Sequence, residues 1–313
     1  MKIYANMHTH STHSDGVYTP SELVRIAKDE GYGALTVADH DTITGYPEIK
    51  AECEKNGMES ILGCEFTGYS EEFNFTFHIT AYGFDPEYPE MKDYLEKCSI
   101  ATAHITKVLF ERGVAEGLIP PGITWQDVLD YNPGVSWLCN DHVFRTMKAK
   151  GLATDLDYPA FFDNVYGARR REVKRPYEFL PLPELLDLIR RAGGIALVAH
   201  PHGKLSCVPA LMKYGICGLE VWHEMLKDPE RIEALELARD YKLYVSGGSD
   251  HEGLCGGQYA FYEDYKSTRF YVPELSTGTT KEFFDEIVNR TLMPDREKYI
   301  NGIIEDIKSE MNK

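Results

Sequence analysis

The stretch Ile3-Tyr4-Ala5-Asn6-Met7-His8-Thr9-His10 carries a short strand-like run, residues 2–7, straight into two histidines spaced two apart. The same grammar returns along the chain. Ala34-Leu35-Thr36-Val37-Ala38 is followed by Asp39 and His40, and Ser60-Ile61-Leu62-Gly63-Cys64 by Glu65. Ile195-Ala196-Leu197-Val198-Ala199 is followed by His200, Gly218-Leu219-Glu220-Val221-Trp222 by His223, and Leu243-Tyr244-Val245-Ser246 soon by Asp250 and His251. Catalytic groups of barrel enzymes sit at the C-terminal ends of strands. Polar, metal-competent residues at that one end of nearly every strand are not a chance pattern.

Helices fill the intervals. Thr19-Pro20-Ser21-Glu22 opens the first, with Thr19 as cap, Pro20 in the first turn and Glu22 completing a capping box. A second runs from the Asp39-His40 segment to about Lys55. Phe73, Phe75, Phe77 and Ile79 alternate with Asn74, Thr76, His78 and Thr80, which predicts a strand with His78 on its polar face. Strands alternating with helices imply an α/β fold with a parallel sheet, open or closed into a barrel. From about Cys98 to Leu180 the texture changes. Pro120-Pro121-Gly122, Asn132-Pro133-Gly134 and Arg169-Arg170-Arg171 separate short helical pieces. The expected organisation is a barrel domain over 1–97 and 181–313, with a small, mostly helical inserted domain over 98–180 capping the active site.

The chain has 313 residues and a formal charge of −17. That acidity speaks against a general affinity for nucleic-acid phosphates, so no nucleic-acid polymer is expected as partner. A small anionic substrate remains compatible, because bound cations reverse the local field. The seven cysteines include no C-x-x-C pair, which fits a reduced, cytoplasmic protein. Neither a signal peptide nor a membrane span is expected.

Imidazole and carboxylate are the usual ligands of zinc, manganese and iron. His8 and His10, at i and i+2 of an extended segment, point the same way and can share an ion. A carboxylate such as Glu65 can bridge two. Taken singly, His78, His142 and His223 would each read as ordinary hydrogen-bonded histidines, and His104 as a helix residue. His13 and His202 lie beside the strand-end residues and line the same region. Asp15-Gly16 could be a plain turn, but its place just after the paired histidines favours a ligand.

The motifs resemble those of the polymerase and histidinol phosphatase (PHP) superfamily. His8-Thr9-His10-Ser11-Thr12-His13-Ser14-Asp15-Gly16 is similar to its first motif and Ala38-Asp39-His40-Asp41-Thr42 to its second. Gly63-Cys64-Glu65, the strand with His78-Ile79, Ala199-His200-Pro201 and Gly248-Ser249-Asp250-His251 resemble the later ones. The resemblance implies a distorted (β/α)7 barrel and a trinuclear site of two to three divalent ions: manganese, iron or zinc. It places His8, His10, Glu65 and Asp250 on the first ion, and Glu65, His78 and His200 on the second. Asp15, His40 and a residue of the last motif fall to the third. Here that motif reads Asp250-His251-Glu252, so either His251 or Glu252 completes the set. The 98–180 segment resembles the small helical domain of the metal-dependent phosphoesterase branch. Asn140-Asp141-His142 stands where that branch has Arg-Pro-His, leaving a phosphate contact to His142, Arg169, Arg170, Arg171, Lys174 or Arg175.

The expected activity is hydrolysis of a small phosphate ester, mono- or diester and possibly nucleotide-derived, by a hydroxide bridging two ions. Asp39 would orient a ligand. His202, His223 and His142 are candidates to protonate the leaving alcohol. Trp125, Trp137, Tyr131 and Tyr166 are candidates to stack on a base or sugar, with burial in a core the alternative. The rival readings are an amidohydrolase-like C–N hydrolase and a non-catalytic metal-binding module. A proofreading nuclease is disfavoured by the acidic charge.

Overall fold

The structure, a computed structural model, describes residues 2–251 and 277–313. Glu252, one of the two alternatives for the last ligand, lies outside the described residues. The elements run β1 (Ala5–Asn6), α1 (Pro20–Asp29), β2 (Ala34–Leu35), α2 (Tyr46–Asn56), β3 (Gly63–Ser70), β4 (Phe75–Tyr82), α3 (Pro89–Ala115), α4 (Trp125–Tyr131), α5 (Asn140–Ala149) and α6 (Tyr158–Phe161). Then follow α7 (Leu182–Arg191), β5 (Ile195–Val198), α8 (Val208–Leu211), β6 (Ile216–Trp222), α9 (Asp228–Asp240), β7 (Tyr244–Gly247), α10 (Lys281–Asn289) and α11 (Arg296–Met311).

This is an α/β fold with two ladders: a parallel β1–β2 pair, and a five-stranded sheet in the order β3-β4-β5-β6-β7. Neither ladder closes on itself among the described residues. The expectation of a parallel sheet fails at β3 and β4. A tight connection joins them, turning at Asn74 with a left-handed backbone (φ 46°), so they pair antiparallel. β4 also pairs antiparallel with β5, while β5, β6 and β7 are mutually parallel. A hairpin needs only a few linking residues, whereas a parallel return needs a crossover.

Local chemistry accounts for the helix starts. Thr19 accepts from the Glu22 amide, and Glu22 bonds back to the Thr19 amide. The buried face of α1 is Pro20, Leu23, Val24, Ile26 and Ala27. α7 buries Leu182, Leu185, Leu186, Leu188 and Ile189 against the large sheet, in a core that includes Phe66, Phe77, Ile79, Leu219 and Val245. Residues between Ile105 and Val173 make a separate apolar cluster around Leu109, Val143, Phe144, Phe161 and Val165. α3 contributes to both clusters, with Met91 and Leu95 in the first and Leu109 and Phe110 in the second.

Beyond the ladders, single bridges join His40 to Glu65 and Thr9 to His251, both parallel. These bridges bring the ends of β1, β2, β3 and β7 side by side, and the strand-end histidines and carboxylates meet there.

Candidate metal centre

Glu65 sits at the middle of this meeting point. Its Oε2 lies 3.3 Å from His8 Nε2, 3.4 Å from His10 Nε2 and 3.2 Å from His40 Nδ1. Its Oε1 lies 3.1 Å from both His78 Nδ1 and His200 Nε2. Asp250 closes the other side, with Oδ1 2.8 Å from His10 Nε2 and 3.3 Å from His8 Nε2. Asp15 bridges outward, 3.5 Å from His10 Nδ1 and 3.4 Å from His40 Nε2.

Three overlapping groups result, each compact enough to hold one cation: His8, His10, Glu65 and Asp250; His10, Asp15 and His40; and His40, Glu65 and His78. His200, expected on the second ion, shares Glu65 with His78. His251 joins none of the three groups. Its ring stacks on Tyr18 at 5.5 Å with the planes 16° apart, and burial, with the charge of His10, pushes its pKa down to about 4.

The residues fit divalent ions on their own chemistry. Glu65, Glu220 and Asp250 are all buried carboxylates, a costly arrangement unless matched by positive charge. His8 Nε2 and Glu65 Oε2 are buried without a hydrogen-bond partner among the described residues. The electrostatics are those of a cation trap. Burial works against charge on His8, but Glu220, Asp250 and Glu65 outweigh it and raise its pKa well above the usual value. Burial likewise opposes ionisation of Glu65 and Asp250, and the surrounding imidazoles hold both well below the usual carboxylate range.

The supporting shell explains the geometry. Glu220 accepts from His8 Nδ1 at 3.0 Å and from the His200 amide at 2.7 Å, which leaves His8 Nε2 turned to Glu65. Sequence reading missed Glu220 as a functional residue. The available signal was a glutamate alone in the apolar run Gly218-Leu219-Glu220-Val221-Trp222. Asp39 accepts from the Ser11 amide, the Ser11 hydroxyl and the Ser14 hydroxyl, each at 2.7 Å. It fastens the loop rather than a ligand ring. His200 and Asp250 hold left-handed backbones (φ 27° and 50°), strain of the kind that collects at functional sites. Gly248 is required because a Cβ there would stand 2.3 Å from the His8 amide nitrogen.

The other expected residues are placed differently. His223 is fully buried; its Nδ1 accepts the Met225 amide and its Nε2 donates to Asp250 at 3.3 Å, so both nitrogens are engaged. His142 is also engaged at both nitrogens, accepting from the Cys139 amide and donating to the Thr12 carbonyl at 3.1 Å. That leaves it without a free donor for phosphate. His202 is half exposed and pairs with Glu230 at 2.7 Å. Arg169 pairs with Glu116 and bonds the Asn164 carbonyl, away from the histidines. Arg170 and Lys174 are exposed. Arg175 lies over the Phe179 ring at 4.1 Å, with Nη1 buried and without a hydrogen bond among the described residues. Trp137 stacks on His40 at 5.9 Å, joining the helical segment to the site.

Comparison with known proteins agrees with this geometry. Residues 6–119 match the PHP domain family. The chain is 28% identical over 260 residues to the 5'-3' exoribonuclease Rnm of Salmonella typhimurium, covering 80% of this chain and 85% of that one. It is 25% identical to the phosphoribosyl 1,2-cyclic phosphate 1,2-diphosphodiesterase of Eggerthella lenta, covering 80% and 95%. A crystal structure from Bifidobacterium adolescentis, named for a metal-dependent phosphoesterase, superposes with a TM-score of 0.72 at 26% identity, covering 93% and 97%.

The exoribonuclease relatives overturn the expectation that nucleic-acid polymers are excluded, since RNA is such a polymer. Net charge is a property of the whole surface, whereas a phosphate responds to the local field at the site, which bound cations would invert. No helix among the described residues is long and apolar enough to cross a membrane. The motifs, the PHP domain matched over residues 6–119 and the phosphoesterase relatives all point to phosphoester hydrolysis, and the chain resembles the PHP superfamily.

Proposed function

We propose that this chain is a metal-dependent phosphoesterase acting on nucleotide-derived phosphate esters, the 5' end of RNA among them. The observation that carries the reading is the single buried Glu65 carboxylate ringed by His8, His10, His40, His78 and His200 within 3.4 Å. His8, His10, Glu65 and Asp250 would hold one ion, and Glu65, His78 and His200 a second. His10, Asp15 and His40 would hold a third. Manganese, iron and zinc all suit this mixture of imidazole and carboxylate. Such ions supply Lewis-acid stabilisation of charge on phosphoryl oxygens and acidify water.

The chain's own residues have separable tasks. Glu220 fixes the His8 ring and the His200 backbone. Asp39 holds the Ser11–Ser14 turn. Of the candidates for delivering a proton to the leaving oxygen, His202 is the one with an exposed ring, and its Nδ1 lies 2.7 Å from Glu230 Oε2, which orients it. Of the basic run, Arg175 is the candidate for a phosphate contact, because its guanidinium keeps an unspent donor.

The same reading extends to architecture. The bridges His40–Glu65 and Thr9–His251 support one distorted seven-stranded barrel, in which the two ladders are arcs of a ring. The separate apolar cluster between Ile105 and Val173, with Trp137 against His40, supports a helical unit over roughly residues 98–180 that covers the site.

The test is a phosphate-release assay on a 5'-phosphorylated oligoribonucleotide, a nucleoside bisphosphate and a cyclic phosphodiester, with and without added Mn²⁺. Release from one of them that requires the ion supports the proposal. Turnover of an amide or cyclic imide without any phosphate release would move the chain to C–N hydrolysis.

A further inference from the structure

We infer that Arg145, in the helical segment, is a positioning residue that sets the loop presenting Asp15. The inference rests on the metal reading above for its consequence, but its geometry stands alone. The loop Thr12–Gly16 runs between the two paired histidines and α1, and turns so tightly that a Cβ on Gly16 would stand 2.1 Å from the His10 carbonyl oxygen. Three of its carbonyls face α5. The buried Arg145 guanidinium donates from Nη1 to the Gly16 carbonyl, and from Nη2 to those of Ser14 at 3.4 Å and Thr12 at 3.5 Å. His142, one turn earlier on α5, donates to the same Thr12 carbonyl.

The opposite edge of the loop is held by Asp39 through Ser11 and Ser14. Asp15 is the residue suspended between the two clamps, and its carboxylate faces His10 and His40. A guanidinium suits this task because its planar fork offers five donors in fixed directions, so one side chain can serve three carbonyls. A lysine ammonium is a compact point donor and cannot span all three at these distances. The helical segment is therefore built into the metal-holding loop and does more than cover it. Groups of this kind, acting behind the ligand, typically change metal affinity by about 10–100-fold when removed.

The experiment compares wild type, Arg145→Met and Arg145→Lys by amide hydrogen exchange of the metal-free proteins, followed by Mn²⁺ titration of each. The expected result is exchange at Thr12–Gly16 at least about tenfold faster in Arg145→Met, with β3 and β4 amides unchanged, and Arg145→Lys in between. The most weakly held Mn²⁺ should bind about 10–100-fold more weakly in Arg145→Met. Equal acceleration throughout the sheet and the loop would show a purely structural role and overturn the inference, as would an unchanged loop with unchanged Mn²⁺ affinity. Selective loosening of the loop in a chain whose wild type binds no Mn²⁺ would uphold the clamp and refute the metal reading instead.

Discussion

His8 Nε2 and Glu65 Oε2 face each other 3.3 Å apart at the bottom of the site, both buried and neither with a hydrogen bond among the described residues. His8 is held in that attitude from behind by Glu220, which accepts a hydrogen bond from its Nδ1. Two buried ligand atoms without a hydrogen bond among the described residues, aimed at a common point, are what a cation needs and what an apolar core would not tolerate.

Replacing Glu65 with Gln should therefore remove bound metal and activity together. Glutamine keeps the volume but loses the charge that five imidazoles surround. We expect phosphate release to fall by at least about 100-fold, since even residues behind the ligands alter metal affinity by about 10–100-fold. Metal analysis of the purified variant beside its rate checks both halves. Full metal content with a full rate would be incompatible with the site as described.

Glu220→Gln should act more gently and differently. An amide oxygen can still accept from His8 Nδ1, but the amide NH2 cannot accept from the His200 N–H, and the ring would lose the carboxylate that raises its basicity. The predicted outcome is metal affinity lowered by about 10–100-fold with the rate recovered at high Mn²⁺. A rate that stays low at saturating Mn²⁺ would assign Glu220 some other task.

Asp141 gives a prediction about pH. Burial, aided by the nearby charge of Asp15, pushes its pKa up to about 7 from an ordinary 3.8. Because the folded-state value is the higher one, the folded chain binds this proton more tightly than the unfolded chain. The favourable contribution is fully present below about pH 3.8 and is lost as pH rises through about 7. Asp141→Asn, which cannot ionise, should stabilise the metal-free protein at pH 8 by about 2–4 kcal/mol and by only about 1–2 kcal/mol at pH 5, where the unfolded-state aspartate is already ionised. Thermal melts in chelator at the two pH values check this. A gain that is the same at both would mean that ionisation of Asp141 is not the cause.

Much of this was legible in the chain itself, and the reasons differ from residue to residue. His8, His10, Asp39, His40, Glu65, His200 and Asp250 could be read because each ends an apolar run, and the strand period fixes which way it points. Glu220 and Arg145 could not be read in that way. Their roles depend on contacts across 212 residues to His8 and 129 residues to Gly16, which no local pattern records. The antiparallel β3–β4 hairpin was obscured because His78 sits on an alternating strand that looks like any other. The assignment of His251 as a ligand rested on position in a motif; its ring stacks on Tyr18, and its Nε2 is buried without a hydrogen bond among the described residues. The charge argument against nucleic acid is overturned by the exoribonuclease relatives, because net charge averages over a whole surface whereas a phosphate meets the local field of a site.

His202→Asn separates proton delivery from metal chemistry. An ester with an alkyl alcohol as leaving group needs a proton at the departing oxygen, whereas p-nitrophenolate leaves without one. The variant should slow the alkyl ester by about 10²–10⁴-fold and leave the nitrophenyl ester nearly unchanged. Equal losses on both would place the proton donor elsewhere.

The most direct test of the central claim is the metal dependence of the reaction itself. The protein would be stripped with chelator, analysed for metal, assayed for phosphate release from a 5'-phosphorylated oligoribonucleotide and from nucleoside bisphosphates, and assayed again after addition of Mn²⁺. The account predicts no release from the stripped protein and recovery at two or more ions per chain. Release that continues at full rate in the stripped protein, or a reconstituted protein that binds no ion, would contradict it.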